Sequence, residues 1–169
     1  MQLTRREYLL AAACWQSVLK AQGLATFDAK TAAEIEAICA QIIPDDGTPG
    51  ARETGVIRFI DRVLAGYEID KRGAYQQGLR ETQATREKLF PESTGIAALA
   101  PADQKKLVEA IEKTPFFGLV RMHAILGFLC HPKHGGNEGQ AGWKLIGFTN
   151  SMHYAPPFGY YDTPGNEPR

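Results

Sequence analysis

The densest group of side chains able to do chemistry is Cys130-His131-Pro132-Lys133-His134-Gly135-Gly136-Asn137. Thiolate and imidazole are good ligands for zinc, copper or iron. His123 and His153 could complete a ligand set. Against that reading, Pro132 breaks a helix between the two histidines, and no fourth ligand has local spacing. The preferred reading is a loop packed against a partner, with no metal assigned. Gly135-Gly136-Asn137 is either a cradle of backbone N–H groups for an anion or, more simply, a turn, since Gly and Asn accept positive φ. Trp143 suits an interface anchor or a cover for the protein's own core, and both stay open. Lys144 reads as a partner for a carboxylate or carbonyl, because a catalytic lysine needs a desolvated pocket. Asp45-Asp46 could be a carboxylate pair for acid–base work. Between Pro44 and Gly47 they read instead as turn residues. Cys39 and Cys130 are read as free thiols, although a disulfide between them, or an intersubunit bridge through Cys130, is chemically permitted in an oxidising compartment.

These residues need elements to hold them. Thr31-Ala-Ala-Glu34 has the pattern of a capping box, followed by Ile35, Ile38, Cys39 and Ile42 at helical spacing. That helix must stop at Pro44, and residues 44–50 form a tight loop by their turn chemistry. Val56, Phe59, Ile60, Val63, Leu64 and Tyr67 predict a second helix with one apolar stripe. Residues 70–90 predict a half-exposed helix, with Tyr75, Leu79 and Leu89 as its main apolar members. After a connector at 91–100, Pro101 suits a first helical turn, and Leu107, Val108 and Ile111 give that helix its buried side. Thr114-Pro115 opens the most apolar helix, an N-cap followed by proline. A helix apolar on most sides predicts the central helix of a bundle. Strand signals are poor. The expected fold is all-α: a single helical bundle over residues 26–148, with an irregular aromatic and proline-rich C-terminal tail over 149–169.

The chain has 169 residues, with nineteen Lys and Arg against nineteen Asp and Glu. Zero net charge argues against a nucleic-acid footprint, which shows as a basic excess. Apolar residues at 44% suffice for a core. The longest apolar run, residues 116–130, is shorter than the ~20 residues of a membrane-spanning helix. There is no GxGxxG after a strand for a dinucleotide and no CxxCH for covalent haem. Redox chemistry is therefore expected on another chain, and no catalytic or cofactor-binding residue is assigned here. The neutrality is uneven: residues 1–25 carry Arg5, Arg6 and Lys20 against Glu7 alone. Paired arginines before Tyr8-Leu9-Leu10 and a mildly apolar stretch read as a twin-arginine export signal, with a weak cleavage candidate at Ala25. An amphipathic N-terminal helix, a lipidation box at Ala11-Ala12-Ala13-Cys14 and a retained signal remain alternatives.

Pro132-Lys-His-Gly135-Gly136-Asn137, followed by Gly142-Trp143-Lys144-Leu145-Ile146-Gly147-Phe148, resembles the gluconate 2-dehydrogenase subunit 3 family. So do Pro44-Asp45-Asp46, Pro49-Gly50-Ala-Arg-Glu-Thr-Gly55-Val56 and Phe59-Ile60-Asp61. With the twin arginines, the resemblance spans nearly the whole chain. It implies a non-catalytic small subunit that escorts a large FAD-dependent dehydrogenase of the glucose–methanol–choline type to the periplasm. A cytochrome c subunit carrying haem often completes such complexes, which oxidise gluconate, other sugars or glucosides, the last including oxidation at the third carbon. On that reading any membrane association runs through the complex. The partner surface is expected at Cys130, His131, His134, Gly135, Gly136, Asn137, Trp143 and Lys144, with the tail aromatics Tyr154, Phe158, Tyr160 and Tyr161. The alternative is an independent periplasmic metal-binding or enzymatic domain using Cys130, His131 and His134.

Overall fold

The computed structural model describes residues 23–153, together with Pro156 and Phe158. Arg5, Arg6, Cys14, Tyr154, Tyr160 and Tyr161 lie outside the described residues. Among the described residues six α-helices follow one another: α1 (Ala29–Ile42), α2 (Val56–Ala65), α3 (Arg72–Leu89), α4 (Pro101–Ile111), α5 (Pro115–Leu129) and the short α6 (Ala141–Leu145). Single turns of 3₁₀ helix occur at Ile69–Lys71, Pro132–His134 and Glu138–Gln140. No strand occurs among the described residues. α5 packs on α1, α2, α3 and α6, while α4 closes the bundle against α1 and α3. The core joins Ile35 and Ile38 of α1, Val56 and Ile60 of α2, Tyr75 of α3, Leu107 of α4 and Val120 and Ala124 of α5.

The start of α1 differs from the capping box predicted at Thr31. The N-cap is Asp28, whose carboxylate accepts from Thr31 N at 2.7 Å. Glu34 is buried inside the helix and serves a distant segment. Its carboxylate accepts from Ile96 N at 2.5 Å and Ala97 N at 3.2 Å, which holds the connector before α4. Gln104 secures the same connector by donating to Ile96 O and Leu99 O. Together they let Ile96 and Leu99 enter the core without stranding backbone groups.

α1 ends before Pro44 as its chemistry requires. The loop at 44–50 then folds back, with Ala51 N donating to Ile43 O at 2.9 Å. Gly50 is obligatory there, because a Cβ would lie 2.6 Å from Ile43 O. Asp45 and Asp46 are exposed on this loop.

Two apolar residues fall off their predicted stripes. Tyr67 lies beyond the end of α2 at Ala65 and is 93% exposed. Leu89 is exposed at the last residue of α3. α3 instead buries Tyr75, Gly78, Thr82 and Arg86. Gly78 allows the Phe116 ring to lie directly on the helix backbone, where any Cβ would collide with it.

Asp61 of α2 fixes the chain entering α1. It is 2% exposed and accepts from Ala25 N and Thr26 N at 2.8 Å and from Phe27 N at 3.0 Å. Thr26 Oγ1 donates to Asp61 O at 3.1 Å. This cluster seats Phe27 against the core.

Two measurements test these anchors. Asp61→Ala orphans three N–H groups, and urea unfolding should show a loss of about 2 kcal/mol with an unchanged m-value. Asp28→Ala should cost about 1 kcal/mol at neutral pH. The Thr31 backbone N–H holds the Asp28 carboxyl below its ordinary value of 3.8. A depressed folded value means that the stabilisation is complete above the unfolded value and lost as pH falls through the folded one. The difference between Asp28→Ala and the parent should therefore close as pH drops below that value, and a difference that persists in strong acid contradicts the cap.

Candidate partner-docking face

The site begins with the orphan carbonyls at the end of α5. A helix leaves its last C=O groups without intrahelical partners, and no Gly or Asn directly follows Leu129 to close them. The loop after α5 supplies the donors instead. Cys130 Sγ donates to Gly127 O at 3.3 Å, Trp143 Nε1 to Leu129 O at 2.7 Å and Asn137 Nδ2 to Cys130 O at 2.9 Å. Asn137 is fully buried, with φ 51°, and its Oδ1 accepts from Gly142 N at 2.8 Å. Asn tolerates this left-handed conformation better than most residues. Gly136 must be glycine because a Cβ there would collide with Gly127 O.

Further bonds tie the loop to α2. Arg58 pairs with Glu138 and donates to Gly135 O, and Arg62 donates to Lys133 O at 3.0 Å. Glu138 N donates to Thr54 O at 3.0 Å.

This geometry sorts the residues expected at a partner surface. Gly136, Asn137 and Trp143 are buried in the chain's own fold, where they cap α5. Trp143 packs edge-on to His131 at 5.5 Å and to Phe148 at 5.1 Å. Cys130 and Gly135 are half-buried, whereas His131, His134 and Lys144 are exposed, as is Phe158. His131 Nδ1 accepts from Lys133 N at 3.2 Å. Among the described residues no group of three or more His, Cys, Asp or Glu side chains is placed to hold a metal ion. Cys39 and Cys130 are free thiols. Burial pushes the Cys39 thiol up to about 12, and burial likewise raises Cys130.

A second set of functional groups, missed in the sequence, is internal. Tyr75 OH lies 2.8 Å from His123 Nδ1, and His123 Nε2 lies 3.0 Å from Glu68 Oε2. A carboxylate can only accept, so Nε2 donates to Glu68, while Nδ1 shares the other bond with the tyrosine hydroxyl. His123 is fully buried, and burial drives the Tyr75 hydroxyl far above its ordinary range. The chain of three is fully satisfied and pins the loop at residues 66–71 to α5.

The other missed feature is the outer side of α5. Facing the core are Phe116, Val120, His123, Ala124, Gly127 and Phe128. On the opposite side Met122, Ile125 and Leu126 are 45%, 39% and 50% exposed. The helix is central in its packing, as expected from its apolar sequence, but among the described residues this side of it is left open. Its capping loop brings α6 to its C-terminal end, where Leu145, Ile146 and Phe148 are also exposed. One end of the bundle therefore collects apolar side chains that the described residues leave open to solvent. Between α1 and α3 there is also an open groove of about 700 Å³, lined by Phe27, Lys30, Ile35, Tyr75, Leu79 and Arg80 among others. No helix among the described residues is long and apolar enough to cross a membrane.

Such a structure defines a class: a small all-α module whose polar groups largely serve its own fold and whose distinctive surface is an apolar helix face. The chain belongs to the gluconate 2-dehydrogenase subunit 3 family, whose model matches residues 29–149. The family is that of one subunit of a gluconate 2-dehydrogenase complex. No curated protein and no solved structure matches the chain.

The α5 cap yields a sharp test. Asn137→Ala removes both side-chain bonds and leaves alanine at positive φ. It should cost about 3 kcal/mol in urea unfolding and open residues 131–140 to limited proteolysis. A loss under ~1 kcal/mol with unchanged proteolysis contradicts a capping role.

Proposed function

We infer that this chain is the non-catalytic small subunit of a periplasmic, FAD-dependent sugar or glucoside dehydrogenase complex. It binds the large flavoprotein of the glucose–methanol–choline type, stabilises it and escorts it through the twin-arginine route. The FAD sits on that partner, and haem c, where present, on a third subunit. The observation that carries the reading is the open apolar face of α5 on a chain of this family. Met122, Ile125 and Leu126 stand on a helix already packed on its other side, and no described residue covers them, which supports a docked partner. Contiguous exposed apolar surface of this kind marks interaction sites. Lasting complexes cover large apolar interfaces, often above ~2,000 Å² in total.

The sequence supports the escort role through Arg5-Arg6 and the mildly apolar stretch that follows them. Paired guanidinium groups act as a receptor-read address rather than an anchor. The mechanism on this chain is binding alone. Its contribution to sugar oxidation is to deliver a folded flavoprotein and keep its docking surface covered.

Co-expression tests the whole reading. A C-terminal tag on this chain should recover a larger, yellow, FAD-containing protein from the periplasm. Arg5→Lys/Arg6→Lys should leave both proteins in the cytoplasm. Periplasmic flavoprotein in the presence of that double variant overturns the escort role, and a colourless preparation of the chain alone overturns the partnership.

A further inference from the structure

The zero net charge conceals a division along the molecule. Residues 23–112 hold eleven Lys and Arg against fifteen Asp and Glu. Residues 113–153 hold four Lys and Arg against one acidic residue, Glu138, which pairs with Arg58. This basic portion is the portion that builds the docking end. Arg121 lies one helical turn before Ile125 on the exposed side of α5. Lys144 precedes Leu145 on α6, and Lys133 projects from the capping loop. All three are exposed, and among the described residues none of them forms an ion pair. His131 and His134 are exposed on the same loop. The result is an apolar centre flanked by exposed cations, in a stretch of chain with a single acidic residue.

Resting on the proposed flavoprotein partnership, we propose that the partner's matching surface is an apolar patch rimmed by Asp and Glu carboxylates. The rim of Arg121, Lys133 and Lys144 steers and registers the two proteins. An apolar core with a polar rim is the ordinary anatomy of a protein interface, and complementary charge raises association rates and fixes register. Three spaced cations suit this occupant better than an anionic lipid surface, which is recognised by clusters of four to eight. The basic end also keeps free copies of this chain from pairing through the same face, because like charges would meet across a twofold axis.

The experiment uses the full chain and the flavoprotein that co-purifies with it. Association is measured at low and high NaCl for the parent, for Arg121→Glu/Lys133→Glu/Lys144→Glu, and for Met122→Asp/Leu126→Asp. Circular dichroism and urea midpoints confirm that each variant is folded. The parent should associate roughly tenfold more slowly at high salt. The charge-reversed chain should lose at least roughly tenfold at low salt and show little salt dependence. The Met122→Asp/Leu126→Asp chain should fail to bind at either salt. If charge reversal leaves the rate and its salt dependence unchanged while the flavoprotein still co-purifies, the acidic rim is wrong and the partnership stands. If no flavoprotein co-purifies with the parent, the partnership falls and the inference with it. Binding of the parent alone to phosphatidylglycerol vesicles, abolished by charge reversal, would overturn the inference in favour of a membrane surface.

Discussion

The bundle depends on the close approach of other elements to one ridge of α5. Val120, His123, Ala124 and Gly127 form that ridge, and α1, α2 and α3 all pack on the helix that carries it. Gly127 is central to the constraint. A Cβ there would come within 2.9 Å of the Phe59 ring on one side, while the Gly136 backbone already rests against the Gly127 carbonyl. A larger residue would press on Phe59 and so on α2. Because the inner ridge is committed to three helices, the outer side of α5 has nothing left in the described residues to cover it. Its apolar side chains Met122, Ile125 and Leu126 are surface among the described residues.

Local chemistry made much of the helical architecture legible. Thr114 and Pro115 start α5, Pro101 starts α4, and Pro44 ends the run of α1. These signals act within one turn of the residues that carry them. The failures share the opposite property. Glu34 completes a capping box on paper, yet its carboxylate is taken by Ile96 N and Ala97 N, some sixty positions away. The cap then falls to Asp28, an equally good acceptor one turn earlier. Tyr67 matched a helical period that outlasted α2, and Leu89 falls on the exposed final turn of α3.

The docking end was legible in kind and not in place. A helix apolar all round says that two sides will be covered without saying by what, so Met122, Ile125 and Leu126 could not be told from core residues. The buried placement of Asn137 and Trp143 depends on the orphan carbonyls of α5, and that need is visible only once the helix end is known. One clue was present: no glycine or asparagine follows Leu129, so the donors had to come from further along the chain. The polar chain Tyr75–His123–Glu68 joins His123 of α5 to two residues 48 and 55 positions earlier, and no local spacing could have announced it.

The Asp61 cluster also has a mechanical meaning. Backbone groups of residues 25–27 attach to one side chain on α2, whose own helix is seated against α5. Tension applied from the amino-terminal direction therefore reaches α2 through Asp61 before it reaches the first turn of α1, so the load meets the packed body of the bundle and not only a helix end.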